Sequence, residues 1–131
     1  MKELLVAIPT KNREDIMPTV LQSLFHQTTD CFNLLIYDEG NIPITENYHV
    51  RQFFDLLEIH KGIEITHRRN MKDGSLARAR IFILNYTKQH NYKYVMMLDD
   101  DVMLTPNTIE IQLRLDTRSF YVFYTFHCNS F

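Results

Sequence analysis

Long apolar runs, a strong charge of either sign and a cysteine framework are all missing from this sequence, and each absence closes a class of function. The apolar run near the start, Leu4-Leu5-Val6-Ala7-Ile8, is only five residues long. That is too short for the apolar region of a signal peptide, and no other segment approaches the length of a bilayer span. Fourteen Lys and Arg against sixteen Asp and Glu leave a net charge of -2, which gives no electrostatic reason to expect nucleic acid or an anionic membrane as partner. The two cysteines, Cys31 and Cys128, lie far apart in the chain, so neither a disulfide scaffold nor a cysteine zinc site is expected. The expectation is a soluble protein in a reducing, cytoplasmic setting. Glycine and proline are also scarce, at three and four residues, and every one falls at an inferred element boundary or first turn. No repeat, linker or low-complexity tract interrupts the chain, and 131 residues suit a single domain over 1–131 with a real core.

What is present is an alternation of two patterns. Continuous apolar runs bounded by turn signals predict strands over residues 4–8, 32–37, 63–67, 94–98 and 120–126, of the kind buried on both faces of a parallel sheet. Between them, apolar residues recur at helical spacing. One helix has Pro18 in its first turn and runs to about Gln27, and a second covers 48–57. A third runs from Ser75 to about Gln89, capped by Asp73 or Ser75, and a fourth reaches Leu115 with Thr105 as N-cap and Pro106 as its first residue. The predicted fold class is therefore α/β, a mainly parallel twisted sheet flanked by helices.

In such a sheet the residues that follow each strand gather along one edge, where ligands bind. Polar clusters stand there after the first, second and fourth strands: Pro9 to Arg13, Asp38 to Asn41, and Asp99-Asp100-Asp101. Two like charges about 4 Å apart repel by roughly 4 kcal/mol at an effective dielectric near 20, so three acids on one turn call for a compensating charge. An all-oxygen ligand set suits Mg²⁺ or Mn²⁺, and Mg²⁺ completes its shell with water and phosphate oxygens. The strand that ends in the triplet thus reads as one side of a metal-diphosphate site, with Arg78 and Arg80 of the third helix as candidate phosphate donors.

In order along the chain, Ile8-Pro9-Thr10-Lys11-Asn12-Arg13, Gln27-Thr28, Ile36-Tyr37-Asp38-Glu39-Gly40-Asn41, Ser75-Leu76-Ala77-Arg78-Ala79-Arg80 and Leu98-Asp99-Asp100-Asp101 resemble the motifs of inverting family 2 glycosyltransferases of the GT-A fold. The resemblance spans about 4–104 and rests on the order and spacing of several motifs together. It implies transfer of a sugar from a nucleoside diphosphate donor, a UDP-sugar by preference, to a hydroxyl on a glycan, lipid or protein acceptor. It implies Mn²⁺ or Mg²⁺ as cofactor. By matching position, Pro9, Thr10 and Arg13 fall to the nucleotide pocket, Asp38 to the uracil N3–H and Arg80 to the diphosphate. Asp99 and Asp101 fall to the sugar or ribose and the metal, and Asp100 to the variable position beside them.

The sequence departs from the family pattern at Glu39, where a second aspartate is usual, and at Asn41, where serine is usual. The family's catalytic base and acceptor elements belong to a second half that this sequence does not display, so the expected fold is a GT-A domain that looks truncated. Asp116 and His127 are the only candidates for a base beyond the triplet. The strand over 120–126 is apolar on both faces, which calls for a cover, either from a longer enzyme or from a homo-oligomer. Two other classes stand beside this reading: a nucleotide-sugar-binding or docking module without transfer, and a Mg²⁺-dependent phosphohydrolase or receiver-like domain.

Overall fold

A computed structural model of the protein describes residues 2–70 and 74–115. Strands β1 (Leu4–Thr10), β2 (Phe32–Asp38), β3 (Ile65–Arg69) and β4 (Tyr94–Met97) form one sheet in the order β3-β2-β1-β4. All three pairings are parallel. Helices α1 (Met17–Phe25), α2 (Tyr48–Lys61), α3 (Leu76–Gln89) and α4 (Thr108–Leu115) connect and follow them. The fifth strand expected over 120–126, together with Asp116 and His127, lies outside the described residues.

Alternation along the strands builds two cores. Leu4, Val6, Ile8, Leu34, Ile36 and Met96 face Met17, Val20, Leu21 and Leu24 of α1 and Val50 and Leu57 of α2. Leu5, Ala7, Leu35, Val95 and Met97 point the other way, onto Ile83 and Tyr86 of α3. With both faces covered, the strands need no polar side, which is why they read as unbroken apolar runs.

Several boundaries shift by a residue or two from expectation, and four of the differences have a clear local reason. Strand β1 runs through Pro9 to Thr10 rather than stopping at Ile8. The ladder to β4 ends at Ala7↔Met97, and the last bond on that side is Leu98 N–H to the Ala7 carbonyl at 2.9 Å. Pro9, two residues on, lacks its N–H on the side where no partner strand remains, so it forfeits nothing. Strand β3 is displaced two residues from the expected 63–67, because its register sets Asp38 beside Arg69. Helix α2 continues to Lys61 and stops at Gly62, whose φ of 63° is the left-handed conformation of a helix C-cap. Helix α4 starts at Thr108, not Pro106: Gln27 Nε2 and Thr28 N–H take the Thr105 and Pro106 carbonyls, both at 2.7 Å, while Gln27 Oε1 accepts from Ile109 N–H at 3.0 Å. Those bonds hold 105–107 as a turn.

Candidate functional site

The order β3-β2-β1-β4 places the topological switch between β1 and β4, since the chain leaves β1 toward β2 on one side and returns through α3 to β4 on the other. Beyond the last shared ladder bond the two strand ends part. A cavity of about 410 Å³ opens there. Pro9, Thr10, Lys11 and Arg13 line it from β1, Glu39 from the turn after β2, Asp99, Asp100 and Asp101 from β4, and Gly74, Leu76 and Ala79 from the start of α3. Groups about ninety residues apart in sequence therefore share one wall.

The triplet does not act as three equal acids. Asp100 turns toward β1, where its Oδ2 accepts from Thr10 Oγ1 at 3.0 Å and lies 3.7 Å from Arg13 Nε. Burial pushes its carboxyl above the usual range, and the Asp101 charge adds to that. The Thr10 hydroxyl, the Arg13 charge and the Lys11 amide pull the other way. Asp100 thus clamps the β1 loop, while Asp99 and Asp101 line the cavity on either side of it in sequence. Among the described residues no three His, Cys, Asp or Glu side chains converge to hold a metal. Two carboxylates on a turn still fit an ion of the Mg²⁺ or Mn²⁺ type, which binds through one or two acids and fills its shell from water and substrate phosphates. They do not fit a site closed by protein alone.

Asp38, expected to meet a base, lies beneath the rim and is only 1 % exposed. Its Oδ1 accepts from Gly40 N–H at 2.9 Å, and its Oδ2 from Ile44 N–H at 2.7 Å, His67 Nε2 at 3.0 Å and Arg69 Nη1 at 3.2 Å. Burial alone would raise this carboxyl and is the largest single influence. The bonds from His67, Ile44, Gly40 and Arg69 together outweigh it and hold the group at about 2. The carboxylate that reaches the cavity from this turn is its neighbour Glu39, which stands where the family pattern has a second aspartate.

Arg80, expected at the diphosphate, does not line this cavity. On α3 the residues turned to the cavity are Leu76 and Ala79, with Ala79 buried against the sheet. One residue advances a helix by about 100°, so Arg80 is carried off that face, and both it and Arg78 stay exposed and outside the lining. Ser75 caps the helix by accepting from Arg78 N–H at 3.2 Å.

Sequence alone gives His67 no role, reads Arg68-Arg69 as a solvated loop sooner than a phosphate contact, and has Asn12 only as a member of the opening motif. The places of His67 and Arg69 were legible only through the register of β3. Asn12 adopts φ 57°, a left-handed conformation that asparagine tolerates, and its Oδ1 accepts from Asn41 N–H at 2.8 Å, tying the β1 loop to the β2 turn. Gly40 sits at that junction, where a Cβ would come within 3.1 Å of the Asn12 nitrogen.

Comparisons with known proteins bear on what such a site belongs to. A family model described as Glycosyl transferase family 2 matches residues 5–127. Two curated relatives, each called an uncharacterized glycosyltransferase, come from Rickettsia bellii and Rickettsia felis. They are 25% and 27% identical over 118 residues, which is 90% of this chain but 16% and 18% of theirs. The chain thus spans less than a fifth of the curated relatives it matches. Among solved structures, S. aureus TarS superposes with a TM-score of 0.64 at 19% identity, over 86% of this chain and 19% of that one. The mannosyltransferase PcManGT from Pyrobaculum calidifontis, in complex with GDP-Man and Mn²⁺, gives 0.58 at 21% identity over 77% of this chain and 28% of its own. TarS 1-349 in complex with UDP gives 0.64 over 86% and 31%. At these identities the structures establish the GT-A fold.

Proposed function

The chain belongs to glycosyl transferase family 2, and from that premise we propose that its cavity receives the nucleoside diphosphate end of a sugar donor, UDP-linked by preference, with a divalent cation between diphosphate and protein. The observation that carries this reading is the single wall formed by the β1 loop, the aspartate triplet and the first turn of α3. It brings the Asp99 and Asp101 carboxylates into one cavity with Lys11 and Arg13, a charge arrangement that suits a cation and a polyphosphate together. The UDP and the GDP-Man with Mn²⁺ named for the structural neighbours support the donor class and the metal.

In this reading Thr10, Lys11 and Arg13 bind and orient the diphosphate, Glu39 meets the nucleoside side, and Asp99 and Asp101 would hold the cation. Asp100 keeps the β1 loop in place rather than coordinating. When bound, Mg²⁺ or Mn²⁺ would neutralise charge on the departing diphosphate. The reaction proposed is a single displacement with inversion, in which a deprotonated acceptor hydroxyl attacks the anomeric carbon.

Calorimetric titration of UDP, GDP and their sugar conjugates, with and without Mn²⁺, tests the proposal. Metal-dependent binding of UDP is expected in the wild type and should disappear in Asp101→Ala. Nucleotide binding that ignores metal, or survives that substitution unchanged, would refute it. Retained UDP binding with neither sugar transfer nor donor hydrolysis would favour the binding-module alternative.

A further inference from the structure

We infer that His67 and Arg69, neither of which lines the donor cavity, are positioning residues for it. Acting through Asp38, they hold the turn 39–44 and, through that turn, the β1 loop in the shape that receives the donor. The inference rests on the donor-binding reading above.

Asp38 is 1 % exposed, and four donors already converge on its carboxylate, three on Oδ2 and one on Oδ1. Two of those donors, His67 Nε2 and Arg69 Nη1, come from β3, the strand at the sheet edge away from the triplet. The other two are the amides of Gly40 and Ile44, so the carboxylate closes the turn that follows its own strand. Arg69 Nη1 also donates to the Gly40 carbonyl at 2.9 Å, gripping the turn twice. The Asp38 carbonyl accepts in turn from Asn70 N–H at 3.0 Å.

The turn passes this constraint onward. Asn41 N–H meets Asn12 Oδ1 at 2.8 Å, and Asn12 is flanked by Lys11 and Arg13 on the cavity wall. The Lys11 amide and the Arg13 guanidinium both act on Asp100. A continuous series of bonded groups therefore runs from the edge strand to the triplet. A site held by such supporting contacts keeps its geometry before the ligand arrives. The chemistry at residue 67 is specific: an N–H donor at that reach is required, which glutamine retains and leucine does not.

The test uses the full chain with His67→Leu, Arg69→Met and the conservative His67→Gln, read by amide hydrogen exchange and by titration of UDP with Mn²⁺. Leucine and methionine should speed exchange at Gly40, Asn41 and Ile44 about tenfold over any change at Val6 in the interior of β1, and weaken UDP binding about tenfold. Glutamine should return both readouts to within about threefold of wild type. Exchange unchanged at those amides, acceleration spread evenly through β1 and β2, glutamine behaving as leucine does, or UDP affinity unmoved despite local loosening would each overturn the proposal. Should the wild type bind no nucleotide at all, the donor reading fails, while the exchange pattern still decides whether His67 and Arg69 hold the turn.

Discussion

Asp38 is a carboxylate whose surroundings make its charge a structural component, and that makes its titration a stability measurement. Its folded pKa of about 2 lies below the ordinary 3.8 because His67, Arg69 and two backbone amides bind the charged form more strongly than burial opposes it. A group depressed on folding stabilises the native state at pH values above its unfolded pKa, and the contribution is lost as pH falls toward the folded value. From this residue the protein should lose about 2 to 3 kcal/mol between roughly pH 5 and pH 1. Urea unfolding at a series of pH values checks it against Asp38→Asn, whose curve should be flatter in that window. Equal slopes for the two proteins would show that Asp38 is not the group responsible. Asp100 contrasts with it: burial raises its carboxyl, and its three supports all come from the β1 loop. Adjacent acids of one motif thus have different surroundings; the family resemblance sets Asp100 apart from the outer pair, whereas the residues alone read as three equal acids.

Among the elements, α2 and the turn before α4 separate what is legible from what is not. Gly62 carries its signal openly, since glycine after a helical pattern marks a left-handed cap. An added Cβ there meets nothing within 4 Å, so Gly62→Ala should cost about 1 kcal/mol from backbone strain alone. A chemical-denaturation midpoint reads this, and a neutral result would contradict the cap assignment. Gln27 is the opposite case, because its function depends on what lies beside it in space. It is 2 % exposed and bonds the Thr105 carbonyl, the Ser23 carbonyl and the Ile109 amide. Gln27→Leu fills the same space without those bonds, and about 2 to 3 kcal/mol should be lost in the same unfolding measurement. Retained stability would mean that solvent satisfies the freed groups. The four described strands and the helices were legible because their apolar periodicity records which faces are covered. The rim roles were not: Asp38 and Glu39 are neighbours of the same charge, and only the register of β3 decides which is sealed beneath the turn and which faces the cavity.

Across the whole molecule, the parallel sheet turns sequence distance into proximity. Thr10 and Asp100 meet because β1 and β4 are adjacent and run the same way. No helix among the described residues is long and apolar enough to cross a membrane, and the two buried apolar clusters lie on the two faces of one sheet. The family assignment rests on 5–127, of which 5–70 and 74–115 are described. What the arrangement predicts most sharply is a linkage. Two carboxylates that hold a cation only with help from a diphosphate must bind metal weakly by themselves and tightly with nucleotide, and the coupling must be reciprocal. The direct measurement is Mn²⁺ affinity, by titration followed through the free-ion paramagnetic signal, with and without saturating UDP. UDP should tighten Mn²⁺ by about tenfold or more, a coupling of roughly 1.4 kcal/mol or greater, and Asp101→Ala should erase the difference. An Mn²⁺ affinity that UDP leaves unchanged would contradict the shared cation on which the proposed site depends.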